Sequence, residues 1–391
     1  MLNTPFSPWP SFSQEEADMV SKVLLSNKVN YWTGQQGRKF EKEFAAWVGC
    51  DYAIALANGT LALDAALKAL GIGKGDDVIT TPRTFLATVS SIVTVGAKPI
   101  FADVDINSQN ITAETIEAAL TETTKAVIVV HLAGMPAEMD EIMELSDKYG
   151  FKVIEDCAQA HGAKYKGRSV GTIGHIGAWS FCQDKIMTTG GEGGMVTTND
   201  KSLWSSMWSY KDHGKSFDAI YNREHPPGFR WVHESFGTNW RMTEMQAAIG
   251  CIQLQRMPEW TAMRQKNAST IDAAIAELPI ARSVRVPDYI EHAEYKHYIF
   301  IRPEYLKSGW TRDKVIEAIV EKGVPAYQGS CSEVYKEKAF DGTDFRPREP
   351  LKNALLLGET SIMFLVHPTL TQDEVYVMAE VIRKVLIEVQ A

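Results

Sequence analysis

The sequence predicts an α/β fold, a mostly parallel sheet covered by helices on both faces, followed by a smaller α+β unit. Between Tyr52 and Asp156, short apolar runs alternate with helical stretches. Those runs are near-continuously apolar, as strands buried on both faces must be. A strong helical segment starting at Thr243, TEMQAAIGCIQLQRM, then ends the alternating region.

The elements follow in order. Ser13 with Glu15 and Glu16 reads as a helix N-cap with an acidic first turn, the helix running to about Leu25. A polar loop holds Tyr31, Trp32, Thr33 and Gly34, and an amphipathic helix covers Gly37 to Val48. Strands are expected at 52–56, 77–81, 98–103, 126–131 and 152–156, with helices at 61–70, 87–95, 112–120 and 139–149 between them. Right-handed crossovers place the strand C-termini on one edge, where ligands bind in such sheets. Strands at 178–182 and 194–198 and a helix from Lys201 come next. Phe217 to Glu234 loses all periodicity and reads as a long loop, of the kind that is functional or disordered. The helix from Thr243 to Met257 is expected to break at Pro258. A strand at 297–302, a helix at 312–322 ended by Gly323 and a closing helix at 371–389 complete the chain. The expected division is an N-terminal arm, 1–14, a large unit, 15–255, and a small unit, 256–391.

Composition narrows the function. With 45% hydrophobic and 23% charged residues among 391, the chain is neither disordered, collagenous nor a coiled coil. A net charge of −9 gives no global attraction for nucleic acid or anionic membrane. The N-terminus lacks a signal peptide's features, and no 18-residue apolar run predicts a membrane span. Five scattered cysteines without a CxxC pair fit reduced thiols in the cytoplasm. No HExxH or HxH pair points to a metal, so no metal site is expected.

Three motifs carry chemistry. The run from Trp179 to Gly194 sets Ser180 after a strand, then Lys185, then a glycine-rich turn. A lysine there suits either phosphate binding or covalent bonding to a carbonyl, and the latter needs a neutral amine. The GxxxxGK[ST] phosphate loop is absent. The run Glu155 to Gly162 places Asp156 at the sheet edge, where a carboxylate can hold a protonated ring nitrogen or simply be a buried strand-end Asp. Asn58-Gly59-Thr60, between a strand and a helix, is a ready anion site. Together they supply a phosphate cradle, a ring-nitrogen carboxylate and a lysine, the parts of a pyridoxal-phosphate site.

The words ANGTLALDAAL, EDCAQAHGA, SFCQDKIMTTGGEGG and GTNWRMTEMQAAIG, in this order, resemble the DegT-type sugar aminotransferases. The resemblance runs from about Trp32 to His367-Pro368 and so covers most of the chain. It implies a fold-type I pyridoxal-phosphate transferase of the aspartate-aminotransferase kind, with a seven-stranded, mostly parallel sheet. By the same resemblance Lys185 bonds the cofactor and moves protons, Asp156 pairs with its ring nitrogen, and Gln159 faces its phenolic oxygen. Gly59, Thr60 and Ser180 bind its phosphate, Phe85 stacks on its ring, and Asn239 reaches the phosphate across a homodimer interface. Relatives with histidine in place of the lysine are dehydratases, so Lys185 favours transamination. A cofactor-binding regulatory relative is disfavoured by intact Lys185, Asp156 and Gln159. Arg83 and the extra glycine of TTGGEGG depart from the family pattern.

The expected donor is L-glutamate and the expected acceptor a keto sugar. The segment HPPGFRWVHESFGTNWRMTE is most similar to the branch that aminates carbon 8 of oxidised 3-deoxy-manno-octulosonate, a lipopolysaccharide sugar. Its carboxylate fits Arg83 and the cationic loop of Arg223, His225, Arg230 and His233. The alternative is a nucleotide-linked 4-keto-6-deoxyhexose. Thr33, Arg83, His131, His213 and Arg241 are the candidate substrate residues, and His161 is expected to be structural.

Overall fold

The computed structural model describes residues 6–391. The first five residues of the expected arm lie outside the described residues. Helix α1 (Gln14–Leu25) opens on a capping box in which the Glu16 carboxylate accepts from Ser13 N at 2.6 Å. Helix α2 (Gln36–Val48) ends on Gly49 at φ +80°, a left-handed cap suited to glycine.

The alternating region then lays down β1 (Tyr52–Leu56), α3 (Gly59–Ala69), β2 (Asp77–Thr80), α4 (Ala87–Thr94), β3 (Lys98–Phe101), α5 (Ala113–Ala119), β4 (Thr124–Val130), α6 (Met139–Tyr149) and β5 (Lys152–Asp156). A ribbon of β6 (Lys164–Tyr165) and β7 (Arg168–Ser169) precedes β8 (Ile176–Ser180) and β9 (Gly194–Thr198). Seven of these strands form one sheet in the order β1-β9-β8-β5-β4-β2-β3. Only β9 runs against the rest, pairing antiparallel with β1 and β8. Val127, Ile128, Val153 and Ile154 are fully buried, as the near-continuous apolar runs required. The C-terminal ends of β1, β5 and β8 therefore sit on one edge, and the site grows there.

After α7 (Lys201–Tyr210), the aperiodic stretch contains a short helix, α8 (Phe217–Tyr221). At 5 residues it is too short to leave a helical period in the sequence. It forms because the Ser216 side chain caps it and Phe217 stacks edge-on against Trp204 and Trp208.

The expected break at Pro258 is corrected by the structure. Helix α9 (Glu244–Ile275) runs 32 residues straight through that proline. A helix-interior proline costs about 3 kcal/mol. Burial of Ala247, Cys251, Leu254 and Met257 on one side of it and of Ala268, Ile271 and Ile275 on the other offsets that cost. The first group joins the core under the large sheet, the second the core of the C-terminal sheet. The boundary expected at 255/256 falls inside this continuous helix.

The C-terminal part comprises β10 (Ala281–Ser283), β11 (Ile290–Glu291), β12 (His297–Ile301), α10 (Arg312–Glu321), α11 (Lys352–Thr360), β13 (Ser361–Phe364) and α12 (Gln372–Val389). Strands β10, β12 and β13 form an antiparallel sheet, and β11 pairs with β6 of the large part.

Candidate active site

The turn from β1 to α3 builds an anion cradle. Asn58 caps α3, its Oδ1 accepting from Leu61 N at 3.0 Å. The N–H groups of Gly59 and Thr60 have no partner within the helix and stand at the positive end of its dipole. Both residues line a cavity of about 1260 Å³. The turn is packed so closely on the neighbouring strands that a Cβ on Gly59 would lie 2.5 Å from that of Ser180, and one on Gly194 2.2 Å from Asn58 O.

Asp156 ends β5 at the cavity floor. Its Oδ2 accepts from Thr88 Oγ1 at 2.9 Å and its Oδ1 from Ala158 N at 3.1 Å. Burial pushes its carboxyl above the usual range in spite of these bonds. A protonated ring nitrogen would offset that cost. Glu155, one residue earlier, faces away from the cavity. It accepts from Gly171 N, Ile173 N and Gly174 N at 2.6–2.8 Å and from His131 Nε2 at 3.0 Å. Burial would raise it, but these bonds hold it below the ordinary value.

Lys185 enters the same cavity from the turn after β8. Its carbonyl accepts from the Trp9 indole at 2.9 Å, and its Nζ stands 5.1 Å from the Tyr295 ring centroid. The following turn needs its glycines, with Gly190 at φ +86° and Gly191 at φ +124°. Ser180, Phe85 and Gln159 also line the cavity. Phe85 is 72% exposed, a large aromatic face open to a ligand, whereas Gln159 is fixed by its Oε1 accepting from Ala133 N at 2.8 Å.

The substrate residues expected from sequence fall elsewhere in the chain's own fold. Arg83 does not line the cavity. Its guanidinium is fully buried, donates to Gln109 Oε1 and Ser361 Oγ, and lies 5.5 Å over the Tyr298 ring. His131 is locked as well, donating to Glu155 through Nε2 while Nδ1 accepts from Ala137 N at 3.1 Å. Thr33 is exposed in the loop before α2, bonded to Asn30 O. Arg241 pairs with Asp212 at 2.7 Å, and His213 and Asn239 are exposed beside it. In the long loop, Arg223 is paired with Glu234 and Asp218, and His225 is bonded to Ala219 O. His161 is buried against Trp179 and Phe181 and kept neutral, burial pushing it down to about 3.

The cavity gains residues that sequence reasoning missed. Trp9, Thr88, Asp184, Tyr295, Lys296 and His367 all line it. Asp184 was within reach of a sequence argument, as a carboxylate beside the chosen lysine. Tyr295 and Lys296 carry no local signal and arrive only through folding.

The family model described as the DegT/DnrJ/EryC1/StrS aminotransferase family matches residues 10–383. The chain belongs to this family. The DegT/DnrJ aminotransferase is 35% identical to the spore coat polysaccharide biosynthesis protein SpsC of Bacillus subtilis (strain 168), over 96% of each chain. It is 60% identical to an aminotransferase from Psychrobacter cryohalolentis of known structure, covering 98% of this chain and 100% of that one with a TM-score of 0.97. It is also 28% identical to S. venezuelae DesV, solved in complex with a ketimine intermediate, covering 95% and 94% of the two chains with a TM-score of 0.84.

The protein is a pyridoxal-phosphate-dependent sugar aminotransferase related to enzymes of polysaccharide biosynthesis. The residues present fit that cofactor, because a crowded glycine cradle at a helix N-terminus, a buried carboxylate short of a cationic partner and a lysine meet in one cavity.

Proposed function

We propose that this aminotransferase moves the amino group of L-glutamate onto carbon 8 of oxidised 3-deoxy-manno-octulosonate, giving the amino sugar of lipopolysaccharide. The convergence of Lys185, Asp156 and the Gly59–Thr60 cradle in one cavity carries the chemistry. The acceptor rests on the similarity of the segment HPPGFRWVHESFGTNWRMTE to that branch. When bound, pyridoxal phosphate supplies an aldehyde that holds the nitrogen and a ring that withdraws electrons from the adjoining carbon.

The chain's residues do the rest. Gly59 N, Thr60 N and Ser180 Oγ hold the phosphate. Asp156 keeps the ring nitrogen protonated, with Thr88 orienting its carboxylate. Gln159 and Phe85 would hold the ring, and Lys185 Nζ would bond the cofactor and carry the proton that the reaction moves. The alternate exit of 2-oxoglutarate and entry of the sugar at this one site gives ping-pong kinetics.

The enzyme acts as a homodimer whose sites are shared between chains. Phe229, Trp231 and Phe236 are 75%, 82% and 100% exposed, next to exposed Asn239, and such an apolar face favours a partner. A second copy covering it would bring Asn239 to the neighbouring phosphate. The five free cysteines support a cytoplasmic setting.

The test is the absorbance of the purified holoenzyme before and after L-glutamate, followed by addition of each acceptor. The expected result is conversion of the carbonyl-form band by glutamate and its return on adding oxidised octulosonate. Return with a nucleotide-linked 4-keto-6-deoxyhexose but not with octulosonate overturns the acceptor. A band unmoved by glutamate overturns the donor.

A further inference from the structure

We infer that Lys296 is the carboxylate anchor of the substrate site, meeting the acid group of the donor, the acceptor or both. The inference rests on the aminotransfer reading above and adds a residue that the sequence motifs do not contain. Among the described residues lining the cavity, the basic ones are Lys185, Lys296 and His367. Lys185 is committed to the cofactor. His367 is neutral, burial and the nearby Arg264 pushing it down to about 3, and its Nδ1 is bonded to Thr369 Oγ1. Lys296 is thus the cation left for an anionic substrate.

Its own surroundings leave it available. The Lys296 ammonium makes no ion pair and no hydrogen bond with the described residues, and lies 4.7 Å over the Tyr295 ring. The nearest carboxylate influence is Asp184, whose Oδ2 is already taken by the Tyr295 hydroxyl at 2.5 Å. Burial pushes the Lys296 amine down to about 8, against the pull of Asp184. An ammonium half-withdrawn from water without a partner is costly unless a ligand completes it.

The backbone that carries it is rigid. Ala293 N donates to Gly134 O and Tyr295 N to Ala133 O, both at 2.9 Å, tying the segment to the end of the large sheet. On the other side, His297 is clamped between Glu294 at 3.2 Å and Asp272 at 2.9 Å. Lys296 sits between these two anchors, so its backbone is held beside the cavity. Because donor and acceptor use one cavity in turn, one cation there serves an acid group in either half-reaction.

The experiment compares wild type, Lys296→Met and Lys296→Arg as pyridoxal-phosphate-loaded enzymes. Glutarate, a dicarboxylate with no amine to transfer, is titrated into each by calorimetry. Cofactor stoichiometry and the absorbance maximum are expected to be unchanged in the variants. Glutarate affinity should fall about 10- to 100-fold in Lys296→Met, the size of one charge-assisted hydrogen bond, and be largely restored in Lys296→Arg. The two half-reactions, followed separately by absorbance, assign the anchor. A higher half-saturating glutamate concentration marks the donor's carboxylate, a higher acceptor concentration the sugar's. Unchanged glutarate binding in Lys296→Met, or none in wild type, overturns the inference. Failure of wild type to react with glutamate overturns the donor instead, and the glutarate titration still reads Lys296.

Discussion

A methyl group on Gly59 would lie 2.5 Å from the Cβ of Ser180, closer than any two such carbons approach in a folded protein. The two residues are 121 positions apart, since 180 − 59 = 121, yet the strand pairing β1-β9-β8 presses them together at the mouth of the phosphate cradle.

Gly59→Ala must therefore shift α3 or β8. We expect weaker retention of the cofactor phosphate by at least about 10-fold and a stability loss of about 1–3 kcal/mol. Equilibrium dialysis of pyridoxal phosphate and urea denaturation of the apo form measure the two effects. Wild-type affinity in the variant would sink the cradle assignment.

Asp156→Asn keeps the bond from Thr88 but removes the charge that holds a protonated ring nitrogen. Turnover should fall about 10²- to 10³-fold, with cofactor still bound and the fold intact. Activity within a few-fold of wild type would mean that another group performs this role. Single-turnover absorbance with glutamate is the measurement.

His297 gives stability a pH dependence. Burial alone would lower its pKa, but Glu294 and Asp272 hold it up to about 10. The unfolded value is about 6.5. Its contribution is therefore full below about 6.5 and is lost as pH rises through about 10. His297→Gln should cost about 3 kcal/mol at pH 6 and much less at pH 10.5, read by urea unfolding at both pH values. An equal cost at both would show that the ion cluster carries none of it.

Arg83 separates structure from recognition. It was expected to meet the acceptor's carboxylate, but it is fully buried over the Tyr298 ring and does not line the cavity. Arg83→Ala should destabilise the protein by about 2 kcal/mol or more, through lost packing and an unpaired Gln109 acceptor, with the acceptor KM within about 2-fold of wild type. A large rise in KM with unchanged stability would restore the substrate role.

The local words of this sequence determine a great deal. Continuous apolar runs specify buried strands, Asn58 and Thr243 mark helix starts, and the Gly190–Gly191 pair permits a left-handed turn. Each depends on neighbours within a few residues, so the sheet order's raw material and the Asp156, Lys185 and Gly59 motifs are legible without a structure. What only the tertiary structure decided depends on partners distant in the chain. Pro258 stays helical because two separate cores grip α9 on either side of it. Arg83 and His131 are withdrawn from the site by Gln109, Ser361, Glu155 and Ala137. Tyr295 and Lys296 join Lys185 in the cavity from 110 and 111 positions further on, counting 295 − 185 and 296 − 185. Local propensity acts over one or two turns of chain, whereas burial and charge pairing act through space, and the substrate end of this site is built by the second.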